Sequence, residues 1–171
     1  MLASTGIRIS EAISLRLQDI TPKGLVIRET KFRKSRLIWL HEIVVVALKK
    51  YLDYRCKVGS DDDHIFISRR GRKLNYNVVN ETFQNAVKAA GIQCQVGKSK
   101  PRLHGFRHRF AIKALEACPD NRDRIARHIL ALSTYMGHVG MESTYWYLNT
   151  TPQLMRDVAD ACEFFSQGGI S

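Results

Sequence analysis

A mainly α-helical domain carrying one small antiparallel β-sheet, an α+β fold, is the class that this 171-residue sequence predicts. Three observations point there. Two short β-prone runs near the N-terminus flank a basic turn. Most of the chain after residue 42 spaces its apolar residues with a helical period. No repeat, low-complexity tract or linker divides the sequence, so a single domain over residues 1–171 is expected.

Taken in order, Ser4 or Thr5 can cap a helix that turns Ile7, Ala12, Ile13, Leu15 and Leu17 inward and ends near Asp19, before Thr21-Pro22-Lys23-Gly24. Leu25-Val26-Ile27 and Leu37-Ile38-Trp39-Leu40 read as the strands of a hairpin whose tip, Thr30-Lys31-Phe32-Arg33-Lys34-Ser35, is cationic. Glu42 to Lys57 is a helix with Val44, Val45, Leu48 and Leu52 inward and Lys49, Lys50 and Arg55 elsewhere. His64-Ile65-Phe66-Ile67 is a candidate third strand, followed by the basic turn Arg69-Arg70-Gly71-Arg72-Lys73. Helices are expected from about Asn75 to Ala90, stopping at Gly91, then Leu103 to Ala117, stopping ahead of Pro119, and Arg122 to Leu132. Short helices at Ser133–Met136 and Ser143–Leu148 precede a terminal helix from Pro152 to Phe165.

Lys and Arg number 27 against 16 Asp and Glu, a formal charge of +11, which favours a polyanionic partner, nucleic acid first. Cys56, Cys94, Cys118 and Cys162 form no CxxC pair, so neither a zinc ribbon nor a compact disulfide framework is signalled and a reducing compartment is expected. His104 and His108 share a helix face, but no acidic or cysteine ligand lies near them in sequence, and no bound metal or other cofactor is expected. No apolar stretch is long enough for a membrane span, and the first residues lack the features of a signal peptide. A cytoplasmic, nucleoid-associated protein is the expectation.

Against that background one spacing carries chemistry. Tyr147 lies nine positions after His138, and two cassettes upstream, Thr5 to Glu11 and His104 to His108, offer cations for phosphoryl transfer. Displacement at a phosphodiester needs a nucleophile in line with the leaving oxygen and donors at the non-bridging oxygens. Arginines suit the second task, because each can grip two oxygens at once and stays protonated. Arg8 and Arg107 form such a pair. His104 lies on the Arg107 face and can donate to the same phosphate or move a proton, and His138 can add a hydrogen bond. Tyr147 would attack phosphorus. A cationic pocket would favour its phenolate, and Lys31 would protonate the departing 5′ oxygen, with no metal required. Glu11, one turn after Arg8, can orient that arginine. Singly, each residue has a duller reading, as solvated helix cation, capping histidine or half-buried aromatic; it is the set that favours chemistry. Around it, Arg33, Lys34, Arg36, Arg70, Arg72, Lys73, Lys98, Lys100 and Arg102 are expected to contact DNA phosphates.

Over nearly its whole length the chain resembles the tyrosine recombinases, the phage integrase family. Thr5-Gly6-Ile7-Arg8-Ile9-Ser10-Glu11 with Leu15 and Asp19-Ile20 looks like the first arginine box. Thr30 to Arg36 sits where the family's lysine hairpin should be, His104-Gly105-Phe106-Arg107 looks like its HxxR helix, and Met136-Gly137-His138 through Thr144 to Tyr147 looks like its LGH box and nucleophile. The resemblance implies Arg8, Lys31, His104, Arg107 and His138 as the activating set, Tyr147 as nucleophile and Glu11 as accessory acid. Lys34 and Lys23 stand as alternatives to Lys31. Trp39 replaces a frequent proline and Met136 the commoner leucine.

What the resemblance implies is a site-specific recombinase or integrase catalytic domain of a bacterial, phage or plasmid-borne element. It would act on double-stranded DNA through a 3′-phosphotyrosine, without metal or ATP, as a homo-oligomer docked through helix 152–165. Two other readings stay open, a catalytically idle DNA-binding remnant and a type IB topoisomerase-like activity. Because Met1 lies only seven residues before Arg8, the family's N-terminal DNA-binding domain is expected to be absent from this chain. Weaker and less salt-dependent DNA binding would follow from the lost phosphate contacts.

Overall fold

The computed structural model describes residues 1–28, 35–93, 100–117 and 122–137, apart from the side chains of 122–126. The chain divides into two compact units, Met1–Arg107 and His108–Ser171.

In the first unit, helix α1 (Leu2–Thr5), helix α2 (Ile9–Ser14) and a 3-10 turn (Leu17–Asp19) replace the single helix expected from periodicity. The break is local in origin. Gly6 takes φ 60°, ψ 12°, closing α1 with its N–H on the Leu2 carbonyl, a left-handed conformation that glycine enters without a Cβ clash. Arg8 is then extended (φ −70°, ψ 147°) and stands at the N-cap of α2. Ile7, Ala12 and Leu15 are buried as expected, but Leu17, on the short turn, is 38% exposed.

Strands β1 (Ile20–Thr21), β2 (Gly24–Ile27) and β3 (Arg36–Ile38) form an antiparallel sheet in that order. The β2–β3 hairpin is the one that the two β-prone runs predict, with Leu25 opposite Ile38 and Ile27 opposite Arg36. Trp39 and Leu40 lie beyond the strand, and Trp39 is largely exposed. The third strand is not the His64–Ile67 run but Ile20–Thr21, returned by the two-residue turn Pro22-Lys23. Gly24 makes that turn possible. It has φ 140°, and a Cβ there would collide with the Ile38 carbonyl oxygen, so any side chain would push β2 off β3.

The His64–Ile67 run pairs with the segment before the sheet. Leu17 N–H donates to the Asp63 carbonyl at 2.8 Å, Ile65 N–H to the Leu15 carbonyl at 2.8 Å, and Arg16 bridges His64. Ile65, fully buried, fixes this register.

Helix α3 (Glu42–Val58) buries Leu48 and half-buries Val44, Val45 and Leu52, close to expectation. Arg55 departs from it. Placed by periodicity away from the core, it is 6% exposed, because its Nε donates to the His64 carbonyl at 3.1 Å and its Nη2 to the Asp62 carbonyl. A guanidinium whose donors meet carbonyls can be buried where a bare charge cannot. Helix α4 (Tyr76–Ala89) starts where Asn75 Oδ1 accepts the Asn77 N–H at 2.8 Å.

Helix α5 (His104–Glu116) contains the boundary between the units, and helix α6 (Arg122–Met136) follows it. In the second unit Ala111 and Leu115 pack with Ile129, Leu132 and Met136. Phe110 stacks on Tyr135 with centroids 5.6 Å apart. The expected stop at Leu132 and separate helix at Ser133–Met136 merge into one continuous α6. Thr134 Oγ1 turns back to the Leu130 carbonyl at 3.0 Å, so its hydroxyl is satisfied within the helix. The left-handed Gly137, φ 65°, ends it.

Candidate active site

The break between α1 and α2 is what positions the first arginine. At the N-cap, Arg8 has a backbone N–H with no helical acceptor, and Glu11 supplies one: Oε2 accepts it at 2.8 Å while Oε1 takes Arg8 Nη1 at 3.0 Å. One carboxylate thus holds both the main chain and the guanidinium of Arg8. Glu11, expected to orient Arg8, thus contacts it through both carboxylate oxygens.

A second arginine reaches the same carboxylate. Arg36 on β3 donates Nη2 to Glu11 Oε2 at 2.8 Å, and the two side chains are only 11% and 10% exposed. Burial works to raise the Glu11 carboxyl, but the hydrogen bond from Arg36, that from the Arg8 N–H and the Arg36 charge outweigh it and hold Glu11 below the ordinary carboxylate range. Arg36, expected among the DNA contacts, therefore has an internal partner that its place in a basic run did not reveal. A signal was present: Arg36 and the fully buried Ile38 are two apart on one strand and share a face.

Arg107 is 2% exposed, and its Nη1 donates to the Gly6 carbonyl at 2.7 Å. Gly6 is the residue that ends α1, two positions before Arg8. The HxxR arginine is thus tied to the backbone that presents the first arginine, although 99 residues separate Arg8 from Arg107 in sequence. His104 occupies the first position of α5 and is exposed, one turn from Arg107. Phe106, on the other side of that turn, packs edge-on against Phe83 of α4 with centroids 5.7 Å apart.

Of the other expected cations, Arg70, Arg72 and Lys73 are exposed on the 69–73 turn, and Lys100 and Arg102 are exposed ahead of α5. The 69–73 turn is braced from beneath. Ser68 N–H donates to the Arg72 carbonyl at 2.8 Å, Asp62 Oδ2 accepts the Lys73 N–H at 2.8 Å, and Ser60 Oγ donates to the Gly71 carbonyl. Lys31, Arg33, Lys34, Lys98, His138, Tyr147 and the helix expected at 152–165 lie outside the described residues.

Asp62, Asp63 and His64 bring potential ligand atoms within 4.8 Å of one another. Their atoms are committed to protein donors, however. Asp62 Oδ1 accepts the His64 N–H at 2.9 Å and lies 2.6 Å from His64 Nδ1, and Asp63 Oδ2 accepts from Arg16 Nη1 at 2.9 Å. These contacts make a hydrogen-bonded turn. The His64 backbone N–H, then its side chain, then the Lys73 N–H lower the Asp62 carboxyl from 3.8 to about 2. A carboxylate with a depressed folded value stabilises the chain above its ordinary value, and that contribution is lost as pH falls through the folded one. The melting temperature is accordingly expected to drop between about pH 4 and about pH 2, and Asp62→Asn to flatten that limb. An unchanged limb in Asp62→Asn, measured by circular dichroism, would contradict this. Glu11 acts in the same direction.

Comparison with known proteins follows the same lines. The profile of the Phage integrase family matches residues 1–153. The y4rB protein of Sinorhizobium fredii, an integrase/recombinase by name, is 34% identical over 162 residues, covering 92% of this chain and 52% of that protein. The tyrosine recombinase XerC of Leptospira interrogans is 28% identical over 159 residues, 92% of this chain and 47% of that one. Among solved structures, the XerA recombinase superposes with a TM-score of 0.73 at 25% identity, over 99% of this chain and 56% of that chain. The chain therefore spans about half the length of the curated relatives it matches. Among the described residues, no helix is long and apolar enough to cross a membrane.

Proposed function

This chain belongs to the phage integrase family, and from that premise we propose that it is the catalytic part of a site-specific DNA recombinase, its two compact units serving as one catalytic domain. The observation that carries the reading is the hydrogen bond from the buried Arg107 to Gly6, which joins the two phosphate-clamping arginines through one piece of backbone. Arg8 and Arg107 bind the non-bridging oxygens of one phosphate, with His104 and His138 adding donors. The Tyr147 phenolate oxygen forms a bond to phosphorus as the bond to the 5′ oxygen breaks. Lys31 gives that oxygen its proton, leaving a 3′-phosphotyrosine and a free 5′-hydroxyl. Rejoining reverses the step with a different 5′-hydroxyl. The bond energy is retained in the protein-DNA linkage, so the chemistry is balanced without ATP, and the arginines supply the charge that a metal would otherwise provide.

Double-stranded DNA is the partner in this reading, in keeping with the net charge of +11. The exposed cations of the 69–73 turn, with Lys100 and Arg102, contact its backbone. The compartment is the bacterial cytoplasm, at the nucleoid. The test uses a pool of nicked duplexes of randomised sequence: the wild-type chain should yield an SDS-resistant, protease-sensitive adduct, and sequencing the attached DNA identifies the site. Binding without any adduct would instead indicate an idle DNA-binding remnant. Apolar residues of the 152–165 segment, Leu154, Val158, Ala161, Phe164 and Phe165, dock on a neighbouring protomer. Truncation after Thr151 is therefore expected to leave only 1:1 complexes with DNA in sedimentation. Persistence of the larger complexes would refute the docking role.

A further inference from the structure

Glu11 is the shared partner of two arginines, and the second of them has no part in the mechanism just described. Arg36 is nearly as buried as the carboxylate it meets. Its Nε and Nη1 are buried with no hydrogen-bond acceptor among the described residues, so among them its charge is answered by Glu11. A buried guanidinium with one carboxylate partner constrains that partner strongly, because either charge left alone in the interior is costly. Glu11 Oε2 accepts at once from Arg36 Nη2 and from the Arg8 N–H, which leaves Oε1 directed at Arg8 Nη1. The chain of contacts runs from β3 to α2 across 25 residues of sequence, and β3 is itself fixed in the sheet by its register with β2.

We infer that Arg36 is a positioning residue, which holds Glu11 against α2 and through it orients the Arg8 guanidinium toward the phosphate. The inference rests on the recombinase reading for what Arg8 does, but the positioning itself is a property of the fold. Removing Arg36 leaves Glu11 Oε2 held by the Arg8 N–H alone, and a buried carboxylate without its cation also tends to take up a proton. Arg8 then keeps its charge but is held less firmly by Glu11. DNA affinity, which sums over many phosphate contacts, is not the quantity this changes.

On a duplex selected from the nicked pool, Arg36→Gln is expected to slow adduct formation at saturating DNA by about 10-fold to 100-fold, the range for partners that orient a ligating group. Its dissociation constant for that duplex, read by fluorescence anisotropy, should stay within about twofold of wild type, as for a group that touches no phosphate. Arg36→Lys, which keeps the cation but not the planar fork, should fall between. Glu11→Gln combined with Arg36→Gln should be no more than about twofold slower than the slower single variant, because the two act through one contact. Rate losses that multiply in the double variant, or an Arg36→Gln loss that appears as DNA affinity with the saturating rate unchanged, would overturn the inference. Should Arg36→Gln not fold, Arg36→Lys carries the test with the same signs. If the wild-type chain forms no adduct at all, the recombinase reading fails and the positioning remains open to measurement. Nitrogen-15 relaxation of the Arg8 guanidinium should show greater mobility in Arg36→Lys than in wild type, and equal mobility would end the proposal.

Discussion

Tyr147→Phe is expected to abolish the covalent protein-DNA adduct outright while leaving DNA affinity unchanged within about twofold. The substitution removes one oxygen and nothing else of the ring, so the loss reports on the attacking oxygen. No neighbouring group replaces it cheaply. Tyr145, two residues earlier, would have to present its oxygen along the same line to phosphorus, and displacement tolerates little misplacement. The measurement is SDS gel electrophoresis of the chain with nicked duplexes, beside anisotropy on an intact duplex. An adduct that persists in Tyr147→Phe and disappears in Tyr145→Phe would move the nucleophile. One that persists in both would show that neither tyrosine is required as the nucleophile.

Arg107→Ala is expected to act twice. As a donor to the phosphate its loss should slow adduct formation by about 10²- to 10³-fold. As a buried donor to the Gly6 carbonyl its loss also leaves that acceptor unsatisfied, at a cost of roughly 1–3 kcal/mol. For a chain of this length that lowers the melting temperature by on the order of 5 °C. Arg107→Lys separates the two effects. A lysine can reach one acceptor and recover much of the stability, but it cannot span two phosphate oxygens, so the rate should stay down by about 10²-fold. Adduct formation restored in full by lysine would show that Arg107 serves the fold and not the phosphate.

How much of this was legible in the sequence varied with the range of the interaction. The β2–β3 hairpin and α4 followed from local patterns, because β-prone runs, turn residues and helical period act over a few residues. The long N-terminal helix did not. The apolar spacing from Ile7 to Leu17 is compatible with one helix, and the left-handed Gly6 with an extended Arg8 overrides it. His64–Ile67 has the composition of a strand, yet its backbone partners lie at Leu15–Leu17, and nothing in a β-prone run names its partner. Arg55 fell on the polar side of a periodicity count and is buried all the same, because carbonyls at 62 and 64 happen to meet its donors.

The site divides in the same way. Arg8, Glu11, His104 and Arg107 could be chosen from the sequence as candidates because the phosphoryl transfer proposed for them limits which side chains are useful, and their cassettes are short. By itself the sequence named those candidates and determined the strongly basic charge and the α+β class, all of which depend on residue type and near neighbours. Only the tertiary structure decided that Arg107 fastens to Gly6 and that Arg36 shares Glu11 with Arg8. Both are hydrogen bonds between residues far apart in the chain. Their formation depends on where the sheet and helices bring the backbone, and no local preference encodes that.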